Sequence, residues 1–127
     1  MTENQLSKII VDCCFKIHSS LGPGLLESVY EEILAYELQK NDLRIRRQQG
    51  MKVIYDGIKM DLGFRADIIV ENKVIIEVKS VESIAPVHHK QLLTYLKITG
   101  MKLGLLVNFN EALVKQGIHR VVNGLDD

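Results

Sequence analysis

Leu6, Ile9, Ile10, Cys13 and Ile17 recur at the spacing of one face of an α-helix, and Thr2 with Gln5 supplies a capping box at its start. The stripe ends before Gly22-Pro23-Gly24, a turn between two helices. The spacing predicts a second helix over 25–40, carrying Leu26, Val29, Tyr30, Ile33 and Leu34 and stopped by Asn41-Asp42. Strand-like runs follow. Residues 48–55 and 58–62 flank Asp56-Gly57, a dipeptide suited to a two-residue hairpin turn. Residues 64–70 and 74–78 flank the short polar turn Glu71-Asn72-Lys73, which predicts a second antiparallel hairpin. Pro86 opens a helix that reaches Thr99 and is closed by Gly100, and 103–109 reads as a buried strand. The segment 117–122 fits an edge strand or a helical tail; Ile118, Val121 and Val122 favour the strand.

One apolar run departs from its pattern. Val74-Ile75-Ile76-Glu77-Val78-Lys79 reads as a central strand, yet it carries a carboxylate and a lysine, and a second acid, Asp67, sits in the strand before it. An ionised carboxylate buried in a sheet is unfavourable unless it is paired or bound to a cation, and a divalent metal is the economical explanation. Side chains two apart share a face, so Glu77 and Lys79 lie together with Ile76 and Val78 opposite. Register decides whether a site exists. A three-residue turn with one residue near the left-handed conformation sets Asp67 directly opposite Glu77, whereas a slip of one residue sets it opposite Ile76. The first register is expected, with opposed Cβ atoms about 4.5–5.5 Å apart, close enough for both carboxylates to reach one hard cation such as Mg²⁺. The plainer alternative is a structural ion pair with Lys79 or Arg65.

Taken together, Asp67 and the later Glu77-x-Lys79 resemble the PD-(D/E)XK nuclease superfamily. Gln91-Leu92-Leu93-Thr94-Tyr95 is similar to the Gln-x-x-x-Tyr motif of its RecB-like branch, and Gly24-Leu25-Leu26-Glu27-Ser28-Val29-Tyr30 matches the signature of the small GxxExxY family. The likeness continues through His88-His89-Lys90-Gln91 and along 103–109. It implies one α/β domain over 1–127 with a restriction-endonuclease-like core, a mixed central β-sheet flanked by α-helices. It also implies Mg²⁺- or Mn²⁺-dependent hydrolysis of phosphodiester bonds in nucleic acid, DNA being favoured over RNA. In that reading Asp67, Glu77 and the main-chain carbonyl of Val78 hold the metal, and Lys79 handles the attacking water. Glu27 completes a second-metal or water shell, Gln91 contacts water or phosphate, Tyr95 steadies the site, and His88 is a candidate helper. From the residues alone, Gln91 and Tyr95 stack on one helix face while Leu92, Leu93 and Leu96 mark the buried side, and a polar pair so placed is more often solvated than functional. Glu27 lies one residue off its helix's apolar stripe, where a Glu is usually exposed and inert.

Charge narrows the choice of partner. Lys plus Arg and Asp plus Glu are both 16, so the chain has no net attraction to nucleic acid, and binding must come from a local basic patch, the metal or a partner. Arg44, Arg46, Arg47 and Lys52 are the candidate patch, with solubilising charge as the plain reading. Neutrality and small size favour the alternative of a catalytically silent nucleic-acid-binding or regulatory module. Aromatic residues are only 6% and Trp is absent, which weakens a single-strand stacking model. Cys13 and Cys14, adjacent within a helix, suit neither a disulfide framework nor a metal site and read as core in a reducing cytoplasm. The polar start Met1-Thr2-Glu3-Asn4-Gln5 is unlike a signal peptide and no apolar stretch approaches a membrane span, so a soluble cytoplasmic protein is expected. A domain this small often dimerises to span a duplex.

Overall fold

The computed structural model describes residues 1–126. Nine elements run in the order α1 (Glu3–Leu21), α2 (Glu27–Lys40), β1 (Ile45–Tyr55), β2 (Ile58–Val70), β3 (Val74–Lys79), α3 (Pro86–Thr99), β4 (Leu103–Asn108), α4 (Val114–Gly117) and β5 (Ile118–Val122). The strands form one sheet in chain order, β1-β2-β3-β4-β5. β3 and β4 are parallel, joined through α3, and the other neighbours are antiparallel. This is the mixed α/β architecture expected.

Two apolar layers hold the helices to the sheet. On one face Leu6, Ile10, Cys14 and Ile17 of α1 and Tyr30, Leu34 and Leu38 of α2 pack with Ile68, Ile76, Leu105 and Val107. On the other, Leu92 and Leu96 of α3 pack with Ile69, Ile75 and Leu106. β3 is therefore covered on both faces, which is why its sequence reads as an unbroken apolar run. Both cysteines are buried and free, and burial pushes the Cys14 thiol pKa up.

Local chemistry sets most boundaries. Thr2 Oγ1 accepts from Gln5 N at 3.2 Å while Thr2 N donates to Gln5 Oε1 at 2.8 Å, the capping box read from the sequence. Asp56 and Gly57 have φ of 58° and 75°, both left-handed, as a two-residue hairpin turn requires. Several boundaries differ from expectation, with β3 running one residue further, to Lys79, and β4 ending one residue earlier, at Asn108. α2 begins at Glu27 rather than at residue 25, because the buried Tyr30 hydroxyl donates to the Gly22 carbonyl at 2.6 Å and accepts from Leu25 N at 3.2 Å, keeping that turn out of the helix. β1 starts three residues early, at Ile45. β2 is one 13-residue strand running through Gly63, where two strands were expected. A Cβ at Gly63 would stand 1.8 Å from the Met51 carbonyl oxygen, so glycine here serves close strand approach rather than a break. Finally, Gly117 closes the single turn α4, and the following segment is the favoured edge strand, β5, antiparallel to β4.

No helix among the described residues is long and apolar enough to cross a membrane.

Candidate active site

β2 and β3 pair through Val70↔Val74, Ile69↔Ile75 and Ile68↔Ile76, the register that brings Asp67 level with Glu77. The connecting turn has two left-handed residues, Glu71 at φ 52° and Asn72 at φ 55°, where one was expected. Pairing stops just short of the two acids. β3 continues along β4 as far as Lys79↔Asn108, so β2 and β3 part while the rest of the sheet goes on. The acids fill this fork. Glu77 Oε2 accepts from Asp67 N at 3.0 Å, and Asp67 Oδ2 accepts from Val78 N at 2.8 Å. Each carboxylate thus satisfies a main-chain N–H that the ladder no longer pairs, a requirement for buried backbone.

The electrostatics of the fork are those of crowded acids. Glu77 is 7% exposed and Asp67 half-buried. Burial first, and then the charge of Asp67, push the Glu77 carboxyl up to about 8. Lys79 draws it the other way, but among the described residues Lys79 and Arg65 take part in no ion pair within 4.0 Å; the pairs present are Lys16 and Lys40 with Glu37, Arg44 with Glu71, and Arg47 with Glu31. The structural ion pair considered from the sequence is not formed.

A second set of residues was not legible in the sequence. Gln48 of β1 donates from Nε2 to Asp67 Oδ1 at 3.3 Å and to Glu31 Oε1 of α2 at 2.7 Å. Glu31, buried at 6% exposure, also accepts from Arg47 Nε at 3.1 Å. The one available signal was Glu31 standing four residues after Glu27, on the same helix face. Both strands also turn over here. The partners Ile45 and Val70 pack toward α1 and α2, whereas the partners Met51 and Phe64 pack toward α3, although each strand has advanced by an even number of residues. Pairing skips the step between Arg47↔Ile68 and Gln49↔Ala66, the step that holds Gln48 and Asp67.

The other predicted residues fall in different places. Tyr95 of α3 stacks on Phe64, centroids 3.8 Å apart, and its phenol pKa is raised by burial and then by the charges of Glu77 and Asp67. Gln91, one helical turn before Tyr95, is exposed. His88 caps its own helix, its Nδ1 accepting from Ala85 N at 3.1 Å. Glu27 is the half-buried first residue of α2, and Ser80 Oγ donates to the Leu25 carbonyl at 2.6 Å, tying the entry of α2 to the end of β3. Among the described residues no group of three or more His, Cys, Asp or Glu side chains is assembled to hold a metal, so Glu27 does not complete a three-acid cluster with Asp67 and Glu77. Within the expected basic patch, Arg44 pairs with Glu71, Arg46 hydrogen-bonds Asn72, and Arg47 faces Glu31, leaving Lys52 exposed.

This donor set suits a hard cation. Mg²⁺ is commonly held by one or two carboxylates and keeps several waters, whereas a structural zinc site needs four protein ligands, usually sulfur or nitrogen. Burial, and then the charge of Asp67, push Glu77 up to about 8, and a cation held by the two acids would relieve that repulsion and favour the ionised carboxylate.

No curated protein and no solved structure matches the chain. A sequence profile described as the PD-(D/E)XK nuclease superfamily matches residues 4–121. That span contains the fork, α3 and all five strands except the last residue of β5. The chain thus belongs to the PD-(D/E)XK nuclease superfamily.

Proposed function

We propose that the protein is a metal-dependent nuclease that hydrolyses phosphodiester bonds, with DNA as substrate in preference to RNA. The observation that carries this reading is the pair Asp67 and Glu77, level across a strand fork, with no basic side chain among the described residues ion-paired to either and with Glu77 pushed up by burial and by its neighbour. Asp67, Glu77 and the Val78 carbonyl would hold Mg²⁺ or Mn²⁺. When bound, the ion supplies positive charge that lowers the pKa of water and polarises phosphate. Lys79, two residues past Glu77 on the same strand, orients the attacking water and offsets the charge that develops on phosphate as the new P–O bond forms and the old one breaks. Tyr95 and Gln91 form the α3 wall of the site and hold a phosphate oxygen or water against it. Glu27 orients water from the α2 side, and His88 acts through the position of the α3 start.

Within the superfamily, Gly24, Glu27 and Tyr30 support membership of the GxxExxY family, and Gln91 and Tyr95 support the RecB-like branch. Net neutrality favours one other reading, a silent module of the same fold that binds nucleic acid without cutting it. Purified protein incubated with single- and double-stranded DNA and RNA, with and without Mn²⁺, decides between them. Mn²⁺-dependent cleavage of DNA, lost in Glu77→Ala, is expected. Binding with no cleavage of any substrate in Mn²⁺ would establish the silent module instead.

A further inference from the structure

Gln48 stands inside β1 with φ of 50°. The other non-glycine residues with positive φ, Asp42, Asp56, Glu71 and Asn72, occupy turns; Gln48 alone among these interrupts a strand. A left-handed residue with a Cβ is uncommon, and Gln has none of the local preference that Asn and Asp have for that region. Such strain persists only where the surroundings hold it, and here they can be named. The pairing step shared with Asp67 is missing, and the Gln48 side chain reaches between two carboxylates, 2.7 Å from Glu31 and 3.3 Å from Asp67. Both neighbours are acceptor oxygens, so the amide must present its NH₂, which has one hydrogen for each. Glu31 is in turn fixed by Arg47, whose Nη2 lies 3.0 Å from Oε2. The far oxygen of Asp67 ends the chain of contacts on Val78 N.

We propose that Gln48 is a positioning residue for Asp67: Arg47 anchors Glu31, Glu31 fixes the Gln48 amide, and the amide fixes the Asp67 carboxylate in the fork. A simple bulge would require the left-handed backbone but not the side chain. A buried Glu31 serving only Arg47 would not require Gln48. The consequence for catalysis rests on the reading of Asp67 as a metal ligand; the positioning itself does not.

Gln48→Gly separates the two roles, because glycine accepts the left-handed backbone without strain and removes the amide. Two measurements follow. In the metal-free protein, hydrogen exchange at the Val78 amide should quicken about fivefold, as expected when one net hydrogen bond loses its support, while the Leu105 amide of β4 keeps its parental rate. By calorimetric titration, Mn²⁺ affinity should fall about 10–100-fold, the usual effect of removing a residue that orients a metal ligand. In cleavage assays kcat should drop with KM for nucleic acid unchanged. Parental exchange at Val78 in Gln48→Gly overturns the proposal whatever the metal does. A parent that neither binds Mn²⁺ nor cleaves defeats the nuclease reading alone, and faster Val78 exchange then still upholds the positioning of Asp67.

Discussion

Glu77 holds its proton more tightly in the folded chain than in the unfolded one, its pKa rising from an ordinary value of 4.5 to about 8. The sign of the pH dependence follows. Its contribution to stability is fully present below about 4.5, is lost as pH rises toward about 8, and stays lost above that. Thermal melts of the metal-free protein across this window should show declining stability, and Glu77→Gln, which keeps the shape but cannot titrate, should flatten the decline. The same variant should be no less stable than the parent at alkaline pH, since it removes one of two repelling charges, yet gain nothing from Mn²⁺. A structural ion pair predicts the reverse, a metal-independent loss of about 3–5 kcal/mol when one partner is neutralised. Because Mn²⁺ competes with the Glu77 proton, its affinity should rise with pH up to about 8 and then level off, which titrations at several pH values will show.

Between elements, two close contacts carry the geometry that residues alone do not. The Tyr30 hydroxyl bridges Gly22 and Leu25 while its ring stacks on Phe109 with centroids 4.5 Å apart, so one side chain fixes the angle between α1 and α2 and ties it to the end of β4. Tyr30→Phe keeps the stack but leaves the Leu25 N–H and Gly22 carbonyl without this partner. It should lower stability by about 1–3 kcal/mol in denaturant melts. At Gly63 the strands approach so closely that a Cβ would meet the Met51 carbonyl at 1.8 Å. Gly63→Ala must therefore displace β1 from β2, destabilising the domain by about 1–3 kcal/mol or more. Because the same two strands carry Gln48 and Asp67, Mn²⁺ affinity should fall with it.

For the molecule as a whole, equal numbers of acidic and basic residues leave no general attraction to nucleic acid, and three arginines of the expected patch are engaged internally. The metal then matters to stability as well as to chemistry. Mn²⁺ at a hundred times its Kd should stabilise the fold by about 2.7 kcal/mol, seen as a higher Tm that Asp67→Asn and Glu77→Gln abolish. The sequence by itself determined the order of the three long helices among the strands, the two hairpins and the capping box at Thr2, and it favoured the register that sets Asp67 level with Glu77. These depend on turn chemistry and on alternation over a few residues, which are local. Tyr95 is singled out by the resemblance of Gln91-x-x-x-Tyr95 to a family motif; helix spacing gives the two residues a shared face but by itself favours a solvated pair. Only the tertiary structure decided that β2 passes unbroken through Gly63, that Tyr30 delays the start of α2, and that β1 and β2 turn over at Gln48 and Asp67. It alone joined Arg47, Glu31 and Gln48 to Asp67. Those facts come from contacts between segments far apart in the chain, and a left-handed Gln inside a strand runs against its local preference, so only packing and the carboxylates around it could impose it.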